Sequence, residues 1–191
     1  GPCRRFDEVA AEDRLMVRTP HRVACQRLMW RGQAVDAREL VLRLLSLSDE
    51  RGQSSAYAMY RFHLCCLELG LGNWAAAEAL LDEWKQSAGS ALVAWPMFER
   101  CTALLLVGRG LPAEAGEWIE RTLARAEATG SRWDQLEAQR ARGVVDLFVG
   151  APGRAAESLR AVWEHTRREG IDEPGVFPVA PDLVEALVET G

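Results

Sequence analysis

The sequence lacks a long hydrophobic run, a basic excess and any recognisable catalytic motif. No apolar stretch approaches the roughly 20 residues that a membrane-spanning helix needs. The 191 residues have a formal net charge of −5, without the overall positive charge of most nucleic-acid-binding domains. The chain contains no GxSxG or HExxH sequence, and its three histidines have no metal-ligand spacing. These absences argue against a membrane protein, a direct nucleic-acid contact, a bound metal and an enzyme.

The cysteines of this chain give no sign of a disulfide framework. The five cysteines form neither a CxxC pair nor a disulfide pattern, and most lie within apolar helical segments. Cys65 and Cys66 are adjacent, but neighbouring side chains on a helix point about 100° apart, which disfavours a redox pair. We therefore expect reduced thiols and a cytoplasmic location.

What the sequence does have is evenly spaced glycine. The intervals between successive members of one series are all 17 to 21 residues. Glycine just past a helix end is a common terminator, because it enters the left-handed conformation without a Cβ clash. Alternating β-branched runs are absent, so the spacing predicts a string of helices. The glycines of this series are Gly32, Gly52, Gly72, Gly89, Gly110, Gly130, Gly150 and Gly170.

Three further positions repeat with this glycine series every 38–40 residues. A small residue precedes an alanine by twelve positions, and a large apolar residue follows that alanine by four. Small residues at such places let paired helices approach closely. The small residue, alanine and large residue of each repeat are Cys25, Ala37 and Val41; Cys65, Ala77 and Leu81; Ala103, Ala115 and Ile119; and Gly143, Ala155 and Leu159.

A period of this size is typical of helical solenoids. We expect an all-α, right-handed superhelical solenoid of about four antiparallel helix pairs. Residues 1–2 look like the remnant of a cleaved tag, and residues 3–191 are predicted to form a single repeat domain. The predicted helices cover about 20–31, 34–50, 54–71, 73–87, 92–108, 112–128, 131–149, 152–169 and 182–190, after a helix-like segment at 3–16. The repeats span about 20–52, 53–89, 90–130 and 131–170, with a partial repeat at 171–191.

The small-x11-Ala spacing with an apolar residue four positions later resembles the tetratricopeptide repeat, lengthened from its usual 34 residues. The segment from Arg168 to Pro178, followed by Pro181 to Leu187, is similar to the helical-repeat region of large ATP-binding LuxR-type regulators of the maltose-regulator kind. That resemblance implies a sensor or signal-relay role within a transcriptional regulator. No GxxxxGK[ST] loop or helix-turn-helix is recognisable, so the resemblance implies that ATP is bound by an N-terminal module outside these residues and that this part needs no cofactor.

Candidate binding residues follow if the first helix of each repeat is oriented as in the tetratricopeptide repeat. Ten residues before each inter-helix glycine lie Arg22, Phe62, Arg100 and Arg140, which that orientation places on the concave face. Guanidinium groups in a row bind carboxylates or phosphates through forked hydrogen bonds, whereas the alternative is a solvated row paired with nearby acids. A polar stripe one helical turn from these residues either extends the concave binding surface or forms a solvent-exposed face. It consists of Gln135, Gln139, Arg142 and Asp146.

Seven tryptophans are many for a chain of this length. Trp74, Trp84 and Trp118 fit buried packing on second helices. Trp95 and Trp133 lie near the starts of first helices, close to the predicted rim of the groove, and are the better candidates for ligand contact.

These patterns predict a domain that binds a protein partner, a peptide or a small-molecule effector on its concave face and relays that state to ATPase and helix-turn-helix parts elsewhere. The alternative function is a stand-alone tetratricopeptide scaffold that binds a peptide or helix and senses nothing small. Self-association into a homo-oligomer through an apolar face of the last helix also stays open.

Overall fold

The computed structural model describes residues 20–87, 96–173 and 175–191. Every regular element within these ranges is an α-helix, so the described part of the protein is all-α, as predicted. None of these helices combines the length and the hydrophobicity that crossing a membrane requires. The helices are α1 (Pro20–Trp30), α2 (Ala34–Glu50), α3 (Ser54–Gly70), α4 (Trp74–Ser87), α5 (Pro96–Gly108), α6 (Pro112–Thr129), α7 (Arg132–Phe148), α8 (Pro152–Arg168) and α9 (Ala180–Thr190).

The helix ends lie within a few residues of the predicted ones wherever both are described. Seven glycines of the predicted series adopt positive φ angles between 62° and 76°. Gly130 shows the mechanism: at φ 67° it follows α6, and its N–H donates to the carbonyl of Glu127 at 3.0 Å. The predicted helical segment at 3–16, the start of the predicted helix at 92–95 and Gly89 lie outside the described residues.

The last helix begins earlier than the sequence predicts. α9 starts at Ala180, so Pro181 lies inside its first turn rather than before it. Proline is tolerated there because the first-turn N–H groups have no intrahelical acceptor to lose.

The chain divides into two compact units, residues 1–67 and 68–191. In the first unit α1 packs against α2, and Cys25, Ala37 and Val41 are fully buried. In the second unit each helix from α4 to α9 packs against the next along the chain. Two further contacts skip one helix: α5 packs on α7, and α7 packs on α9. Helices α5, α7 and α9 therefore contact one another in succession as well as their chain neighbours.

The repeated small and large positions are buried in every repeat. The alanines and the preceding small residues have little or no exposed surface, and Val41, Leu81, Ile119 and Leu159 are at most 1% exposed. Gly143 shows what the small residue does: a Cβ there would lie 2.7 Å from Leu159 Cδ2. The absent side chain on α7 thus leaves room for the large residue of α8.

Tryptophan packing follows the prediction in part. Trp84 is buried as predicted, with its ring 5.4 Å from Phe98 in an edge-on arrangement. Trp118 is only half-buried, and its ring lies 6.3 Å from that of Phe98. The prediction of a buried Trp74 is wrong, since this side chain is 37% exposed. Its ring packs closely against Gly108 at the end of α5, where there is no room for a Cβ atom.

Burial also determines cysteine reactivity. Cys25 has no exposed surface, and burial raises the pKa of its thiol to about 11. Because the thiolate is the reactive form, we expect iodoacetamide at pH 8 to leave Cys25 unmodified in the folded protein and to alkylate it in urea. Half-buried Cys66 is the internal reference in the same peptide map. Modification of Cys25 as fast as that of Cys66 in the folded protein would contradict this burial.

Candidate ligand-binding site

Four charged side chains from α5, α7 and α9 come together in the second unit, and we call them the charge cluster: Arg100, Glu137, Arg140 and Asp182. Arg100 extends from α5, and its Nη1 lies 3.2 Å from Glu137 Oε2 on α7. Arg140, one turn further along α7, places its Nε 3.4 Å from the same oxygen. One carboxylate is thus shared between two guanidinium groups. This arrangement brings together two of the predicted groove residues, Arg100 and Arg140.

The members of the charge cluster differ in their access to water. The side chains of Arg100 and Glu137 are 6% and 8% exposed, whereas that of Arg140 is 21% exposed. Glu137 Oε2 lies within ion-pair distance of both guanidinium groups but has no aligned hydrogen bond. Removing ions from water costs several kcal/mol each, which Coulombic attraction and good geometry must offset. Arg100 and Glu137 therefore form the buried part of the cluster, and Arg140 is its accessible edge.

Asp182 joins the charge cluster from the first turn of α9. Burial raises the pKa of its carboxyl above the usual range, and the nearby Arg140 guanidinium opposes this shift, while Glu185 reinforces it. A carboxyl whose pKa is raised on folding binds protons more tightly in the folded state. Its stabilising contribution is therefore fully present below the unfolded pKa and is lost as the pH rises through the folded pKa.

We accordingly expect Asp182→Asn to raise the urea midpoint of unfolding at pH 7, because the variant avoids the cost of partly burying a charged carboxylate. The difference from the wild type should shrink as the pH falls below the usual carboxyl range. Urea denaturation at a series of pH values measures both effects. Asp172→Asn, which removes an exposed carboxylate from the neighbouring connection, is the matched control. An Asp182→Asn protein less stable than the wild type at pH 7 would refute the expectation.

Arg142, another predicted groove residue, belongs to a different set of ion pairs. Its guanidinium pairs with Glu120 of α6 and lies 4.0 Å from Asp146 on its own helix. Asp146 in turn accepts two hydrogen bonds from Arg154 of α8, at 2.9 and 3.1 Å. These contacts link three successive helices. Gln139 is half-buried in the same helix, and its Oε1 has no hydrogen-bond partner among the described residues.

The remaining predicted residues are placed as follows. Trp133 is 44% exposed and packs on Phe177, with ring centroids 4.7 Å apart. Arg22 is half-buried on α1, and Phe62 is buried on α3 with its ring 5.4 Å from His63; both belong to the first unit. Trp95 lies outside the described residues. Their role in binding stays a prediction.

Sequence reasoning missed the carboxylates that organise these arginines. Glu137 precedes Arg140 by three residues, a spacing at which helical side chains are neighbours, and this signal was available in the sequence. Glu99, next to Arg100, is 2% exposed and accepts three hydrogen bonds of 3.0–3.2 Å from Arg125 of α6. No local pattern indicates this second pairing, because its partners lie 26 residues apart.

In the described ranges no three His, Cys, Asp or Glu side chains are grouped as metal ligands would be. No family model, curated protein or solved structure matches the chain. The candidate site therefore stands on its own geometry.

Proposed function

We propose that this chain is a tetratricopeptide-like solenoid that binds a partner or effector on the face formed by its first helices. The supporting observation is the helix-skipping contact of α5 with α7 and of α7 with α9, alongside the contacts between chain neighbours. In a stack of helical hairpins, the first helices form one layer and each repeat contacts only its neighbours. The recurrent burial of Ala37, Ala77, Ala115 and Ala155 fits the same arrangement.

We further propose that Arg140 is the contact residue of this face and that Arg100 supports it. The structure gives Arg140 a loose contact with Glu137 and an electrostatic interaction with Asp182, and its side chain is 21% exposed. A carboxylate of the partner can form a forked pair of hydrogen bonds with the Arg140 guanidinium and so take the place of Glu137. Because Glu137 also holds Arg100 of α5, such an exchange alters the link between successive repeats. Altering this link changes the curvature of the solenoid, and this change passes the binding signal to the rest of the protein.

In biological terms, the domain is the non-enzymatic sensor or interaction part of a cytoplasmic LuxR-type transcriptional regulator. ATP and DNA are bound by other modules of such a protein, as the resemblance of the tail segment to that family implies. The second candidate function is a scaffold that binds peptides alone. Half-buried Leu104 and Val144, each four residues beyond Arg100 and Arg140, favour it, because apolar side chains of a peptide would pack there.

The test is a titration of the full chain with two probes, citrate and a blocked hexaglutamate peptide, observed through the arginine Nε–Hε NMR signals. The proposal predicts that the Arg140 signal shifts and that Arg140→Gln weakens binding about tenfold, as loss of a charge-assisted pair does. Arg160→Gln, an exposed arginine of α8, is the matched control. Binding of both probes supports effector sensing, and binding of the peptide alone supports the scaffold. Failure of both, or equal binding by Arg140→Gln, would disprove the proposed site.

A further inference from the structure

Helix α9 lies against α7 at the accessible edge of the charge cluster. Leu136 of α7 and Leu183 of α9 belong to one buried apolar cluster. Leu136 precedes Arg140 by one helical turn. Leu183 directly follows Asp182 in the chain. This packing therefore holds the first turn of α9 close to the turn of α7 that contains Arg140.

The charges of Arg140 and Asp182 act on each other across this contact. The Arg140 guanidinium lowers the pKa of the Asp182 carboxyl, against the larger rise that burial causes, and Glu185 on the same helix adds to that rise. Helix α8 contributes apolar side chains to its contact with α9, among them Leu159 and Val162. Asp182 is thus a half-buried carboxylate whose nearby positive charge comes from Arg140.

Arg140 retains the capacity to bind a further carboxylate. Its side chain is 21% exposed, and its Nε makes no hydrogen bond among the described residues. A ligand carboxylate paired with this guanidinium would offset the same positive charge that stabilises ionised Asp182. Asp182 would then keep the cost of its burial and gain the repulsion of the ligand. Ligand binding at Arg140 and the docking of ionised α9 on α7 therefore oppose each other.

We propose that Asp182 is an internal competitor of the ligand carboxylate at Arg140, so that ligand binding loosens α9 from α7 and loosening of α9 strengthens ligand binding. The coupling has the same size in both directions, as linkage requires. This inference rests on the proposed function, because it takes Arg140 as the contact residue. It adds α9 to the parts of the domain that respond when the charge cluster is occupied.

The first measurement is a calorimetric titration of the full chain with citrate at pH 7. Asp182→Asn should bind citrate about fivefold more tightly than the wild type, a factor at the lower end of couplings between sites. Arg140→Gln combined with Asp182→Asn should bind no more tightly than Arg140→Gln alone, because Asp182 acts through Arg140. Glu189→Gln removes a carboxylate from the exposed last turn of α9 and should bind as the wild type does.

The second measurement follows the docking of α9 itself by hydrogen exchange and mass spectrometry. Saturating citrate should speed amide exchange in residues 180–190 of the wild type by about the same fivefold factor, since the coupling is reciprocal. Exchange of this segment in Asp182→Asn should not respond to citrate. A purely structural role of Asp182 would change the exchange of α9 but not its response to citrate.

The outcomes separate this inference from the proposed function. Citrate binding that depends on Arg140 but is equal in Asp182→Asn and Glu189→Gln would overturn the inference and leave the proposed site intact. The same holds if bound citrate leaves the exchange of α9 unchanged in the wild type. Weaker binding by Asp182→Asn would also overturn it and would make Asp182 a ligand contact. Citrate that binds neither the wild type nor Asp182→Asn would count against the proposed function as well.

Discussion

Replacing Glu137 with alanine is expected to lower the free energy of unfolding by about 3 kcal/mol, the usual cost of breaking a buried ion pair by removing one of its members. Glu137 is the carboxylate shared by Arg100 and Arg140, and Arg100 is almost fully buried. The side chain of Arg100 extends from α5, and 6% of it is exposed. Urea denaturation followed by circular dichroism measures the loss.

Two control variants separate charge from packing. Glu137→Gln keeps the shape of the side chain and removes its charge, so most of the destabilisation should persist. Glu120→Ala breaks an ion pair with Arg142 whose side chains are 61% and 40% exposed, and exposed pairs of this kind contribute about 1 kcal/mol or less. If Glu137→Ala costs no more than Glu120→Ala, the buried pair does not stabilise the fold.

Replacing Gly143 with alanine should destabilise the protein by about 2 kcal/mol, although alanine is the better helix former. The added methyl group would lie 2.7 Å from Leu159 Cδ2, and Leu159 is fully buried, so the side chain or the helix must shift. For a chain of this size the melting temperature should fall by roughly 4–8 °C.

Gly116→Ala is the matched control, since Gly116 also lies within a helix and a Cβ there meets nothing within 4 Å. It should be stabilised by about 0.5–1 kcal/mol through the gain in helix propensity alone. Combining Gly143→Ala with Leu159→Ala should cost less than the sum of the two single changes, because the second change removes the clash that the first creates. Additive costs would mean that helices α7 and α8 do not meet at this point.

Much of the local structure was predictable from residue spacing. The glycine series at intervals of 17 to 21 residues predicted the helix ends, because a left-handed residue ends a helix by a local mechanism. The small-x11-Ala pattern predicted buried contact positions, and all of its described members are buried. Trp74 was predicted wrongly because helical phase does not say how far a neighbouring helix extends over a ring.

The candidate site was only partly predictable. The position of Arg100 and Arg140 on their helices predicted that both lie on the binding face, and in the structure both contact the carboxylate of Glu137. The same reasoning also grouped Arg142 with the groove residues, whereas its partners are Glu120 and Asp146. Charged side chains are long and take whichever partner the neighbouring helices offer, so pairings across helices cannot be read from spacing on one helix.

The sequence alone determined that this protein is helical, where its helices end and which short residues lie at the contacts between them, because backbone sterics and burial act through near neighbours in the chain. Only the tertiary structure decided that Glu137 lies between two arginines and that Asp182 reaches the same cluster. Those features depend on distances between residues that are far apart in the sequence, and such distances exist only after the helices have packed.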